Sequence, residues 1–330
     1  MSKTLSSLNG LHVLLLVPFF FLIFSGCDVE PTSIADDPSK DVKSILIVPD
    51  IQNYTDNEQR AFYLDSISDY YIKNISNYVA CFQLGDLTNN NRVNQYEVAF
   101  NHFFGKFPKG KEAYFCLSNH DYGNNGLSDI RQSNIPDFMK PVSDFTMEGC
   151  AFENYVRYLD IGEKRYAVMD LEFCPRNETL EWANEVVSSQ PTMPYIILTH
   201  VFTNKYGQVH DESDPSIYPG GSQKRYAMGD DYHNDSMEIF NKLINNNPNI
   251  MLVVCGHTLL LDYIGVTSLK NSLGQDVFIV TVNYQHYSEG GSGIVGVLDF
   301  CEGSYRIRNF STVTKSFGNI DIAFGQPLEW

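Results

Sequence analysis

Eight short, mostly apolar runs of four to seven residues constrain this chain more than any other feature. They lie at 44–48, 79–84, 113–117, 166–171, 195–198, 250–255, 277–282 and 294–300. None reaches the roughly ten to twelve residues of an ordinary helix, so each reads as a buried strand. Between several of them apolar residues recur at helical spacing: Leu64, Ile67, Tyr71 and Ile75, then Val93, Tyr96, Phe100 and Phe103, then Leu180, Ala183 and Val187. Asp235 with Glu238 three residues on is a helix-start signature, continued by Met237, Phe240 and Ile244. Strands alternating with helices predict an α/β domain. With 330 residues, 43% of them hydrophobic, the chain can bury a large core. Polar segments at 121–150 and 203–234 read as long loops, the second as a lid and specificity element.

The two ends of the polarity scale point outside the cell. Residues 11–24 form an apolar run containing Pro18, preceded by Lys3 and followed by Ser25, Gly26 and Cys27. The run is short for a membrane span and fits a signal peptide over 1–26. Small residues before Cys27 resemble a bacterial lipobox, with Cys27 as the lipidated residue. Residues 27–42 are acidic and contain Pro and Ser, which suits a tether; the folded domain then spans 43–330. The expected location is the cell envelope, periplasmic or at the cell surface, held to the membrane by the lipid. Net charge is −17, and Lys3 is the only charged side chain in the first 26 residues, so the remainder carries −18. Such a surface repels nucleic-acid backbones and anionic headgroups. A phosphate-bearing substrate needs a local cation to overcome that field. Cys81, Cys116 and Cys255 sit in apolar runs and read as buried hydrophobes. Cys150, Cys174 and Cys301 could pair in an exported protein, and spacing leaves the pairing open.

Five of the strand-like runs end in a potential metal ligand or proton-transfer group. Asp50 and Gln52 follow the first, Gly85-Asp86 the second, and Asn119, His120 and Asp121 the third. His200 follows 195–198 and Gly256-His257 follows 250–255. Sites in α/β sheets form at the carboxyl ends of strands, so these residues are expected at one edge. Carboxylate, amide oxygen and imidazole together suit Mn, Fe or Zn. Glycines before Asp86 and His257 are expected to allow tight turns. His102 reads as a packing residue. His210, Asp211, Arg225 and His233 read as solvated loop residues, and His286 as a bystander.

This ordered set resembles the calcineurin-like metallophosphoesterase superfamily, whose members read D-x-H, G-D, G-N-H-[DE], H and G-H-x-H. Here the blocks are Asp50-Ile51-Gln52, Gly85-Asp86, Ser118-Asn119-His120-Asp121, His200 and Gly256-His257-Thr258-Leu259, over roughly residues 44–315. The segments Asn283-Tyr284-Gln285, Gly290-Gly291-Ser292-Gly293 and 171–184 resemble a branch that opens with D-x-Q. The resemblance implies a four-layer α-β-β-α sandwich of two mixed sheets. It also implies one or two divalent metal ions and hydrolysis of a phosphate mono- or diester by a metal-activated hydroxide. The substrate would be a small phosphate ester or a lipid headgroup. Asp86 would bridge the ions, with Asn119, His200 and His257 completing one site and Asp50 and Gln52 the other. His120 would protonate the leaving oxygen or stabilise the transferring group, with Asp121 orienting it.

Three residues depart from the family pattern. Gln52 stands where the family has His and would ligate more weakly. Leu259 replaces the last His and cannot ligate, and Ser118 replaces Gly, a small change. The first two weaken the same half, which predicts one tight and one exchangeable ion. They also motivate an alternative: a catalytically weakened, metal-containing binding protein at the cell surface.

Overall fold

Strand β1, Lys43–Val48, sends alternate side chains into two different cores. Ile45 and Ile47 enter one cluster and Leu46 and Val48 another, all four fully buried. A strand covered on both faces has no polar side, which is why its sequence reads as an unbroken apolar run. The computed structural model describes residues 42–230, 232–260, 263–301 and 304–325. The predicted signal segment, Cys27 and the tether up to residue 41 lie outside the described residues. No helix among the described residues is long and apolar enough to cross a membrane.

The remaining strands are β2 (Tyr78–Gln83), β3 (Tyr114–Phe115), β4 (Phe145–Thr146), β5 (Tyr155–Ile161), β6 (Lys164–Asp170) and β7 (Tyr195–Leu198). They continue as β8 (Ile250–Cys255), β9 (Ile264–Lys270), β10 (Asp276–Val282), β11 (Ile294–Cys301), β12 (Ser304–Ser311) and β13 (Ser316–Phe324). One sheet has the order β13-β12-β11-β1-β2-β3, the other β4-β5-β6-β7-β8-β10-β9. Both are mixed. β1, β2 and β3 run parallel in the first, and β6, β7, β8 and β10 in the second.

The helices are α1 (Gln52–Thr55), α2 (Ala61–Lys73), α3 (Val93–His102), α4 (Asn177–Ser188) and α5 (Ser236–Ile239), which runs on as a π-helical turn, Phe240–Ile244. Leu64, Ile67 and Tyr71 of α2 and Tyr96 of α3 pack with Leu46, Val48 and Cys81 on the outer face of the first sheet. Leu180 and Val187 of α4, with Ile239 and Leu243, cover Ala167, Met169, Ile197 and Val253 of the second. Between the sheets Ile45, Ile47 and Phe82 meet Val168, Ile196, Leu252 and Val280. Phe82 is fully buried there, so Phe82→Ala costs about 3–5 kcal/mol. The layers are therefore helix, sheet, sheet, helix, as expected.

The structure corrects several details. Val93 is 47% exposed and Gln95 is buried in its place, because the Gln95 amide is used. Its Oε1 accepts the Asn90 N–H at 2.9 Å and its Nε2 donates to Asp56 Oδ1 at 2.7 Å. Helix α3 stops at His102, before Phe103. The Asp235–Glu238 capping box is formed, with reciprocal bonds of 2.9 Å. All six described cysteines are unpaired; of the three that could have bridged, Cys174 is buried and Cys150 and Cys301 are half-buried.

Candidate metal centre

Parallel strands place their carboxyl ends on one side. Asp50, Asp86 and Asn119 follow β1, β2 and β3; His200, His257 and Asn283 follow β7, β8 and β10. The two edges are bonded to each other. His200 Nδ1 lies 2.6 Å from the Leu84 carbonyl, and the His257 N–H donates to Asp50 Oδ1 at 3.3 Å. Both turns are tight, and the backbone shows it. Asp86 and His257 adopt left-handed φ of 50° and 61°, rare for residues with a Cβ. Gly85 has φ 94°, and a Cβ there would lie 2.6 Å from His200 Nδ1. Gly256 needs no left-handed turn. Its role is clearance, since a Cβ there would meet Asp50 Oδ1 at 2.8 Å.

Asp86, His200 and His257 each present one ligand atom, and these lie within 4.8 Å of one another. His200 Nε2 is 3.5 Å from Asp86 Oδ1 and 3.0 Å from His257 Nδ1. Because His200 Nδ1 donates to Leu84, the lone pair sits on Nε2, facing the other two groups. Burial holds the His200 imidazole below its usual pKa, and burial followed by His200 pushes His257 down to about 3. Both rings are therefore neutral near pH 7, the form that binds a cation. Burial would raise the Asp86 carboxyl, yet His200, His120, His257 and the Ser118 hydroxyl together hold it below the usual range. Asp50 is pushed well up by burial and by the Asp86 charge. Two buried carboxylates side by side are the arrangement a divalent cation offsets.

Two orphaned oxygens complete the picture. Asn119 is 5% exposed and Gln52 6%, and both Asn119 Oδ1 and Gln52 Oε1 are buried without a protein donor. A buried amide oxygen left unpaired costs roughly 1–3 kcal/mol, so such atoms call for a partner. They belong to two of the residues that the sequence singles out as ligands. Asp86, Asn119, His200 and His257 thus fit one divalent ion, and Asp50 and Gln52 stand beside them. Asp50 is not within the close three. Its Oδ2 accepts from Asn283 Nδ2 at 3.1 Å.

Asp121 does not orient His120. Its fully buried carboxylate accepts the N–H groups of Leu87 (3.1 Å), Thr88 (3.0 Å) and Ser118 (3.2 Å) and the Thr88 hydroxyl (3.0 Å), and lies 3.0 Å from the Ser118 hydroxyl oxygen. Burial, then the Asp86 charge, pushes its pKa up to about 7. Asp121 fixes the turn that carries Asp86. The His120 ring is held instead by its Nδ1, 2.9 Å from the Asn89 carbonyl, and is half-buried. Ser118, read from sequence as a minor change, proves a direct partner. Its hydroxyl accepts the Asp86 N–H at 2.5 Å and donates to Asp86 Oδ1.

Sequence reasoning also missed the aromatic wall. Tyr226, from the 203–234 loop, places its hydroxyl 3.3 Å from His257 Nε2. Phe173 packs edge-on against the His200 ring at 5.9 Å and Tyr226 at 4.9 Å. Arg131 anchors this wall by donating to the Phe173 and Cys174 carbonyls, each at 2.9 Å. Aromatic residues carry no ligand signature, so nothing in their spacing marks them. The loop itself comes close, since a Cβ on Gly221 would lie 3.1 Å from His257 Nε2. His210 and His233 are buried within this loop rather than solvated, while Arg225 and His286 are exposed.

The sequence matches no family model and no curated protein. Among solved structures the fold is similar to a purple acid phosphatase from yellow lupin (Lupinus luteus) seeds, with a TM-score of 0.51 and 12% identity. The match covers 86% of this chain and 54% of that one, so this chain spans about half its length. It is also similar to GAP50, the anchor in the inner membrane complex of Plasmodium, at TM-score 0.48 and 10% identity, over 88% of this chain and 90% of that one. A predicted phosphoesterase from Streptococcus pneumoniae scores 0.35 at 7% identity, over 87% and 100%. The fold is of the metallophosphoesterase type.

Proposed function

We propose that this chain is a phosphoric-ester hydrolase that works with divalent cations, lipidated at Cys27 and held at the cell envelope. The observation that carries the reading is the convergence of Asp86, His200 and His257; the unpaired buried oxygens of Asn119 and Gln52, at the ends of strands β3 and β1, support it. A fold shared with a plant phosphatase supports it. Cations bound there would lower the pKa of a water and offset the charge of a phosphoryl group. The chain's own residues have separate tasks. His200 and His257 are kept neutral by burial and stay available as ligands. His120 is half-buried at the same edge and oriented through its Nδ1, which leaves its other nitrogen to exchange a proton with the leaving oxygen. Tyr226 and Phe173 wall the site against water. The substrate class is a small phosphate mono- or diester, or a lipid headgroup reached from the tether.

The test pairs metal analysis with turnover. Purified protein should carry a divalent metal and hydrolyse chromogenic mono- or diesters, and Asp86→Ala should lose both properties. Metal without turnover under any divalent cation would favour the metal-containing binding protein. Metal content unchanged in Asp86→Ala would remove the site from the argument altogether.

A further inference from the structure

The half of the site around Asp50 lacks the family's two histidines, yet its bonding is not that of a damaged site. Gln52 Nε2 donates to Gln285 Oε1, and Gln285 Nε2 donates in turn to the His257 carbonyl at 3.3 Å. With its nitrogen committed, the Gln52 amide is pinned, and its oxygen is the atom left without a donor. Asn283 does the same for the carboxylate. Its Nδ2 donates to Asp50 Oδ2 at 3.1 Å and to the His257 carbonyl at 2.6 Å, while its Oδ1 accepts the Gln285 N–H at 2.9 Å. Asn53 Nδ2 holds the Gln285 carbonyl at 3.0 Å. Asp50, Gln52 and the His257 backbone are therefore one bonded unit, organised by two residues whose own side-chain oxygens are taken.

The donor chemistry of the two halves differs. One offers two imidazole nitrogens, a carboxylate and an amide oxygen. The other offers oxygen alone, from Asp50, Gln52 and the shared Asp86. Imidazole suits Zn and Fe, whereas carboxylate and carbonyl oxygens suit Mg and Mn. We propose that the two halves select unlike cations: a borderline ion at Asp86, Asn119, His200 and His257, and a harder ion such as Mn²⁺ or Mg²⁺ at Asp50, Gln52 and Asp86, with Gln285 as the positioning residue. The apparent loss of two histidines is then a change of metal preference. This rests on the proposed function, of which it specifies the second cofactor.

Calorimetry on the metal-stripped full chain, with Mn²⁺ also followed by electron paramagnetic resonance, tests it. One Zn²⁺ should bind and withstand added Mn²⁺, and one Mn²⁺ should then bind beside it. Gln285→Leu should weaken Mn²⁺ at least tenfold while changing Zn²⁺ affinity less than threefold. Gln52→His should turn the second site from Mn²⁺ toward Zn²⁺, which reports on the same half while keeping a ligand at that position. Two Zn²⁺ ions in the wild type with no place for Mn²⁺, or a Gln285→Leu variant that weakens both ions or neither, would overturn the inference while leaving the first site intact. A chain that binds no cation would overturn the proposed function itself.

Discussion

Replacing Gly85 by Ala puts the geometry of the metal centre under direct test. The new Cβ would lie 2.6 Å from His200 Nδ1, about 0.9 Å short of an ordinary contact of ~3.5 Å. Metal-ligand distances tolerate only about 0.2 Å, so a ring displaced that far loses its place. The His200–Leu84 bond, 2.6 Å long and responsible for the tautomer, is strained by the same movement. Two costs add to stability. Alanine at φ 94° carries about 1–2 kcal/mol of backbone strain, and overpacking a filled site costs about 1–3 kcal/mol. The sum is about 2–5 kcal/mol, or a melting point lower by about 3–8 °C in a domain of this size. Cation affinity should fall about 10- to 100-fold, as for other disturbed ligand supports. Gly256→Ala is the internal control. Its φ is unstrained and its Cβ crowds Asp50 Oδ1 at 2.8 Å, so it should disturb the oxygen-only half and spare Zn²⁺ binding. Differential scanning fluorimetry and calorimetry with Zn²⁺ and Mn²⁺ read both effects. A Gly85→Ala protein that melts within 1 °C of wild type and binds Zn²⁺ equally well refutes the reasoning.

Other consequences separate chemistry from scaffolding. Asp121→Ala strands three backbone N–H donors around a buried carboxylate and should cost about 3–5 kcal/mol, whereas His120→Ala should cost about 1 kcal/mol or less and still abolish turnover; urea midpoints and ester hydrolysis on both variants distinguish the roles. Burial pushes His210 down to about 4, below its unfolded value near 6.5, so its contribution is complete above that value and is lost as pH falls toward 4. That is about 3 kcal/mol in all and about 2 kcal/mol by pH 5, visible as a smaller urea-midpoint loss between pH 7.5 and 5 in His210→Gln than in wild type. Of the six described cysteines, Cys150 and Cys301 are half-buried and the others buried, so a thiol reagent should titrate those two in the native protein and the rest only in denaturant.

The central strands were legible because burial on both faces leaves an apolar run with no polar interruption, as in IMLVVC of β8. The outer strands were not. β9 and β13 bury few of their side chains, and β5 carries Arg157 and Asp160 within YVRYLDI. Their pairing is set by backbone bonds to a neighbour, which composition does not record. The candidate ligands were legible for a related reason, since a polar residue after a buried strand has few local uses. What holds them was hidden, because Asn283 and Gln285 act through side-chain directions across the gap between sheets, and Ser118 through a hydroxyl turned to Asp86 on its own sheet. Asp121 was misread for the same reason: adjacency to His120 in sequence says nothing of where its oxygens point.

The edge-to-edge construction of the site also dictates when it can come into being. Asp50 and Asn283 are bonded but lie 233 positions apart. β1 is flanked on one side by β11, with Ile45 opposite Leu298, so even its own sheet stays open until the last third of the chain has arrived. A nascent chain carries only the first carboxylates and amide, a set too open to hold an ion. On the proposed function, cation capture would be a late event that ratifies a finished fold and does not seed one. A chain delivered unfolded across a membrane would take its metal from the compartment where it folds, and the supply there, rather than in the cytoplasm, would decide which ion it carries.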